Sequence, residues 1–304
     1  MGGMGNTIEI PAALTEMRGE GAAEWLAALP TIIQACVERW ELRLEGPFPR
    51  ISFNYAAPVE RRNREPAVLK VCPPDSEFVS EMDALATFAG RGMVRLLAAD
   101  KKLGALLLER IEPGRAIIDL PNDATATGTA LEVMQRFWTP PEQPHRFLTL
   151  QDWFDRAFAR HRALYGGHGP FDAALFARSE ALIRELLATS EEPVLLHGDL
   201  NYGNVLSAER APWLGIDPKG VVGERIFDTA ILLHDPMDRI LSQPSPEKFL
   251  RRRVDQIVEQ TGFPRERVIG WGIAYAVLSS LWWAEDGGTG WDGGLECAEV
   301  LERL

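Results

Sequence analysis

His197-Gly198-Asp199-Leu200 is followed five residues after the aspartate by Asn204, and Ile216-Asp217 comes next along the chain. Phosphoryl transfer from a nucleoside triphosphate needs three things in one place. A carboxylate orients the attacking hydroxyl, oxygen ligands hold Mg²⁺ on the phosphates, and positive charge steadies those phosphates. Asp199 stands just beyond the apolar run Val194-Leu195-Leu196, so its carboxylate can project from a strand end into a cleft. A tight loop would return Asn204 beside it, with a side-chain carbonyl open to a hard cation. Asp217 closes a second short strand, Trp213 to Ile216, and adds an anionic oxygen. Such oxygens suit Mg²⁺ and not zinc. A plainer role for Asp217, a turn aspartate before Pro218, is disfavoured by its place after a strand close behind the Asp199 loop.

These residues need elements to carry them. Thr31 to Trp40 has helical spacing, with Pro30 stopping or bending the chain before it. Leu42, Leu44, Ile51 and Phe53 alternate with polar residues around the turn Gly46-Pro47-Phe48-Pro49, a strand period. Residues 60–66 form a charged turn, and 66–71 a short strand that carries Lys70. Ser76 serves as N-cap of a helix to Ala89, with Phe78, Met82, Leu85 and Phe88 on one stripe. Strands follow at 94–98 and 105–108. Glu112-Pro113-Gly114 breaks the pattern. Helices are expected at 131–137, 150–164, 171–188, 228–234, 246–261 and 268–284. Strands with one helix, then helices interrupted by a β patch, make an α+β arrangement of two segregated parts. The boundaries are 1–112 for an N-lobe and 113–304 for a C-lobe.

The order H-x-D-x-x-x-x-N, strand, Asp resembles the protein-kinase signature set. Gly198 stands where protein kinases have Arg, and Pro218-Lys219-Gly220 follows Asp217 in place of Phe-Gly. Those departures resemble the aminoglycoside phosphotransferase superfamily. The run Ile216-Asp217-Pro218-Lys219-Gly220, Gly223-Glu224, Phe227-Asp228 is similar to its streptomycin and hydroxyurea phosphotransferase branch. So are Trp25-Leu26-Ala27-Ala28-Leu29-Pro30, residues 90–97, and Leu107-Leu108-Glu109-Arg110-Ile111-Glu112-Pro113-Gly114. The resemblance implies a two-lobed, protein-kinase-like fold and an ATP- and Mg²⁺-dependent transfer to an antibiotic hydroxyl. It implies Asp199 as the base and Asn204 and Asp217 as metal ligands. Lys70 would sit on the donor phosphates, held by a helix glutamate. Glu81 is preferred for that and Glu77, one turn earlier, is the rival. Glu109 to Ile111 would be the adenine-receiving hinge, nucleotide-binding with the N-lobe. The phosphate-covering loop, Gly46 to Arg50, has one glycine and two prolines, and 54–57 is its alternative. His197 and Asp228 would brace the catalytic loop. Trp282, Trp283, Glu285 and Asp286 would make an acidic, aromatic wall for a polar cationic acceptor, with Asp235 and Asp238 further substrate contacts.

The 304 residues are enough for two lobes, and 46% hydrophobic composition allows a substantial core. A net charge of −12 disfavours a nucleic-acid partner and suits a cationic small molecule. Three widely spaced cysteines, Cys36, Cys72 and Cys297, argue against a disulfide framework and fit the cytoplasm. No apolar run reaches transmembrane length and the N-terminus lacks a signal pattern, so no membrane partner is expected. The expected state is a monomer or weak dimer. A choline- or sugar-directed metabolite kinase on the same fold is the alternative, because donor site and fold do not fix the acceptor. A non-catalytic nucleotide-binding protein is the third reading, and it would have to explain why Lys70, Glu81, Asp199, Asn204 and Asp217 occur together.

Overall fold

The computed structural model describes residues 8–18, 22–48, 53–190, 192–285 and 291–304. Pro49, Arg50, Ile51 and Asp286 lie outside the described residues. The chain divides into two compact units, Met1–Gly90 with Val94–Glu112, and Arg91–Met93 with Pro113–Leu304.

The first unit holds α1 (Ala12–Arg18), α2 (Ala23–Trp40), β1 (Arg43–Leu44), β2 (Tyr55–Glu60), β3 (Pro66–Val71), α3 (Ser76–Phe88), β4 (Leu96–Asp100) and β5 (Ala105–Glu109). The strands form one antiparallel sheet in the order β1-β2-β3-β5-β4. Period-2 alternation sets its faces. Tyr55, Ala57 and Val59 of β2 join Ala67, Leu69 and Val71 of β3 in a core closed by Leu29, Ile33 and Cys36 of α2. Lys70 therefore leaves β3 on the opposite face. Three expectations are corrected here. Pro30 does not end a helix, because the buried stripe Leu29, Ile33, Cys36 carries α2 past it. Asp75, not Ser76, caps α3, its carboxylate accepting from Glu77 and Phe78 N–H. Residues 55–57 are strand paired with Val71, Lys70 and Leu69, so 54–57 is not a free loop over phosphates.

The second unit holds β6 (Pro113–Ala116), α4 (Asp123–Phe137), β7 (Leu148–Thr149), α5 (Leu150–Tyr165), α6 (Ala173–Ala188), β8 (Val194–Leu196), β9 (Val205–Ala208), β10 (Trp213–Gly215), β11 (Val221–Gly223), α7 (Ile226–Ala230), α8 (Met237–Leu241), α9 (Pro246–Thr261), α10 (Arg265–Glu285) and α11 (Trp291–Glu302). Two three-stranded sheets, β10-β9-β6 and β7-β11-β8, interrupt the helices. α10 is buried on nearly every side, from Val268 to Ala284, as expected of a helix apolar all round. It is not the last helix: α11 packs on it. All three cysteines are buried thiols, and no described helix is long and apolar enough to cross a membrane.

Glu224, just after β11, anchors this core. Its carboxylate accepts from Arg267 Nε at 2.6 Å, from Arg267 Nη2 and from Trp271 Nε1 at 2.8 Å, with its own side chain 3% exposed. Glu224→Gln replaces an anion beneath a guanidinium by an amide that can accept at one atom only. Stability should fall by about 2 kcal/mol, read as a lower denaturant midpoint with unchanged slope.

Candidate active site

The catalytic loop is set by strand pairings on either side of it. β8 and β11 run antiparallel with Leu196 opposite Val221. Just beyond that pair, Lys219 N–H donates to His197 O at 2.8 Å. β9 and β10 form a hairpin that pairs Val205 with Gly215, and Ile216 N–H donates to Asn204 O at 2.9 Å. Asn204 and Asp217 thus emerge from one end of one hairpin. Asp217 takes φ +59°, a left-handed turn that aspartate tolerates better than most residues.

The His197 ring spans the loop: Nδ1 accepts from Asp199 N–H at 3.2 Å, so the ring proton sits on Nε2, which donates to Ile216 O at 2.7 Å. With both nitrogens on backbone, the ring braces the loop. Asp228 lies inside α7, buried, and accepts from His197 N–H at 3.1 Å, Gly198 N–H at 2.8 Å and Trp138 Nε1 at 2.9 Å. Burial pushes its carboxyl up to about 6, against the pull of those three donors. Asp235 accepts from Tyr202 N–H at 2.9 Å. The fully buried Arg253 holds Asp235 O at 2.7 Å and reaches Asp123 Oδ1 at 2.6 Å, which ties the loop to α4 and α9.

Gly198 is required twice over. Its φ is +82°, and a Cβ there would lie 2.8 Å from the Trp153 ring at Cη2 and 3.2 Å from Val221 Cγ1. Gly198→Ala should displace the loop: a thermal-melt loss equivalent to about 2 kcal/mol, with turnover falling by more than about tenfold.

Asp199 Oδ1 faces Tyr275 OH and Asn201 Nδ2, each at 3.4 Å. Burial raises its carboxyl to about 6, offset by the positive charge of Lys219 and these two donors, while the nearby Asp235 charge adds to the rise. Asn204 Nδ2 donates to Asp199 O at 3.0 Å. That bond fixes the orientation of the amide, whose remaining side-chain atom, Oδ1, is an acceptor. With Asp217 it offers two hard oxygens. Mg²⁺ commonly takes only one or two protein ligands, with phosphate and water oxygens supplying the rest. Among the described residues no group of three His, Cys, Asp or Glu is arranged to hold a metal by itself. The donor set fits that ion in that mode.

In the first unit, Lys70 Nζ lies 2.6 and 2.8 Å from the two carboxylate oxygens of Glu81, both side chains buried. Glu77 is exposed on the same helix. Glu109 uses its own N–H on Arg95 O at 2.9 Å, and its carboxylate accepts from Arg95 N–H at 3.1 Å. Ile111 follows β5 as half-buried coil. Glu285 pairs with Arg160 at 3.4 Å, and Asp286 is outside the described residues.

Three residues around the Asp199 loop were not singled out by motif. Lys219 was only part of a family run. Tyr275 looked like core on an apolar helix, though its seven-residue spacing to Trp282 puts both on one face. Trp153 belongs to α5, forty-five residues from Gly198 in sequence, and no local pattern could join them.

A family model for aminoglycoside/hydroxyurea antibiotic resistance kinases matches residues 39–287. A streptomycin 6-kinase of Streptomyces glaucescens is 33% identical over 94% of each chain. A hydroxyurea phosphotransferase of Kitasatospora aureofaciens is 32% identical over 93% of this chain and 83% of that one. Among solved structures, the choline kinase LicA of Streptococcus pneumoniae superposes with a TM-score of 0.65 over 91% of this chain and 99% of that one. It is 15% identical and so speaks for the protein-kinase-like fold alone. Together with the loop geometry, the match over 39–287 decides the family: this chain belongs to the aminoglycoside/hydroxyurea antibiotic resistance kinases.

Proposed function

We propose that this kinase transfers the γ-phosphoryl group of Mg-ATP to a hydroxyl of a streptomycin-like aminoglycoside or of a hydroxyurea-type antibiotic, and so inactivates it. The observation that carries the reading is the Asp199 loop, with a carboxylate held by Tyr275 and Asn201 and an amide oxygen of Asn204 oriented by the loop itself. Asp199 orients the acceptor hydroxyl and receives its proton as the O–P bond forms. Asn204 and Asp217 hold the Mg²⁺, which when bound neutralises charge on the donor phosphates. Lys70, kept in place by Glu81, steadies those phosphates, and the backbone at Glu109 to Ile111 receives the adenine. Lys219 adds positive charge next to Asp199. Catalysis on this reading is positioning and electrostatics, with no covalent enzyme intermediate. Asp235 is assigned to bracing the loop at Tyr202, and direct acceptor contact is assigned to the α10 face that carries Tyr275.

The test is ADP release from Mg-ATP with streptomycin, other aminoglycosides, hydroxyurea and simple amino alcohols, each product identified by mass. An 80 Da gain on streptomycin or hydroxyurea is the expected result. Turnover confined to a choline-like alcohol would transfer the chain to metabolite phosphorylation. ATP binding without turnover of any of these would remove the antibiotic reading.

A further inference from the structure

Both hydrogen bonds made by the Asp199 side chain end on the same oxygen. Tyr275 OH and Asn201 Nδ2 each donate to Oδ1 at 3.4 Å, and no described residue donates to Oδ2. The two donors are held independently of each other. Asn201 is set by the turn it stands in: its Oδ1 accepts from Gly203 N–H at 2.9 Å, which turns Nδ2 towards Asp199. Tyr275 is set by α10. One turn before it, Trp271 Nε1 donates to Glu224 at 2.8 Å and fixes the helix. The Tyr275 ring is buried, and packs on Phe227 with centroids 5.8 Å apart and on His234 at 5.5 Å, edge to face. Burial and the carboxylates of Asp199, Asp235 and Asp228 hold its phenol well above the usual range, so the hydroxyl keeps its proton and stays a donor. Asp199 Oδ1 is its one hydrogen-bond partner among the described residues.

We propose that Tyr275 is a positioning residue for phosphoryl transfer: with Asn201 it engages Oδ1 of Asp199, and so presents Oδ2 to the acceptor hydroxyl as the atom that takes the proton. The inference rests on the phosphotransferase reading and adds to it the atom of the base and the residue that selects it. A carboxylate with neither oxygen engaged turns freely about its last side-chain bond and offers either atom. Two donors on one oxygen remove that freedom. The acceptor oxygen has to lie within hydrogen-bond reach of the base and in line with the phosphorus, and a misplacement of about 1 Å costs up to about 10²-fold in rate. As the new O–P bond forms, the hydroxyl proton passes to Oδ2, the bond from phosphorus to the leaving ADP oxygen breaks, and Tyr275 keeps its own proton throughout.

Tyr275→Phe keeps the ring and removes the hydroxyl alone. With Mg-ATP and acceptor saturating, turnover should fall about tenfold, while KM for each substrate stays within about threefold of the parent and the unfolding midpoint is unchanged. In an Asp199→Asn background the same change should cost nothing further, because the carboxylate it positions is gone. Where the midpoint does fall, the ratio of losses in the two backgrounds carries the comparison. Ultraviolet resonance Raman spectra read the same bond without turnover: Asp199→Asn should shift the tyrosine bands, and the shift should vanish when both proteins carry Tyr275→Phe. Parent-like turnover of Tyr275→Phe overturns the proposal. So does an equal loss in both backgrounds, or a loss confined to KM for the acceptor, which would make Tyr275 a binding contact instead. A parent protein that phosphorylates no acceptor fails the kinase reading, and the Raman shift then decides the anchoring of Oδ1 by itself. Turnover by the parent with no Raman shift keeps the kinase reading and overturns the positioning role.

Discussion

Asp199→Asn is expected to lower turnover by about 10³-fold while changing the affinity for Mg-ATP by less than about threefold. The substitution keeps the shape and leaves an oxygen for Tyr275 and Asn201 to donate to, so the loop should stand. What disappears is the group proposed to orient the acceptor hydroxyl and take its proton. The brace at His197, which holds the Asp199 backbone N–H at 3.2 Å, is independent of the side chain. Calorimetry with the nucleotide and single-turnover kinetics with a saturating acceptor separate the two effects. A variant within about tenfold of the parent rate would mean that positioning by other groups supplies nearly all of the catalysis, and the base would have to be sought elsewhere.

Lys70→Met should be damaging in two ways that can be pulled apart. It leaves Glu81 buried without the ammonium that lies 2.6 and 2.8 Å from its oxygens, and breaking such a pair from one side costs about 3 kcal/mol. On the proposed donor role it also removes positive charge from the ATP phosphates, for an expected loss of about 10²-fold in kcat/KM for ATP. The double change Lys70→Met with Glu81→Leu replaces a buried ion pair by apolar volume, which is often neutral for stability. The unfolding midpoint should therefore recover and the kinetics should not. Recovery of both would make the pair a structural element of the first unit and withdraw its donor role.

The catalytic loop was legible because its chemistry is local: Asp199, Asn204 and Asp217 lie within nineteen residues of one another. α9 was legible to the residue. Ser245 accepts from Lys248 N–H, Pro246 opens the helix, and Gly262 closes it at φ +73°. Other elements hid for identifiable reasons. β2 carries Pro58 and two alanines, and its burial alternation is visible only once β3 and α2 supply a core side. α11 contains Gly293 and Gly294, residues of poor helix propensity, and no helix was expected there. In the fold Gly294 lets two helices close up, since a Cβ there would lie 2.2 Å from Ser280 Oγ and 2.9 Å from Ala276 O. Asp228 sits within α7 and not before it, and its work is done on backbone amides thirty residues away in sequence. Trp153 shows the general limit: a contact made by shape between distant segments leaves no spacing to read.

The three braces of the loop, at His197, Asp228 and Asp235, draw on backbone amides and on groups buried behind it, and none uses the indoles of Trp153 and Trp282. Trp153 packs against Gly198 of the loop, whereas Trp282 lies one ring further out, so Trp282 is the ring that inheritance can exchange with the smaller consequence for the loop.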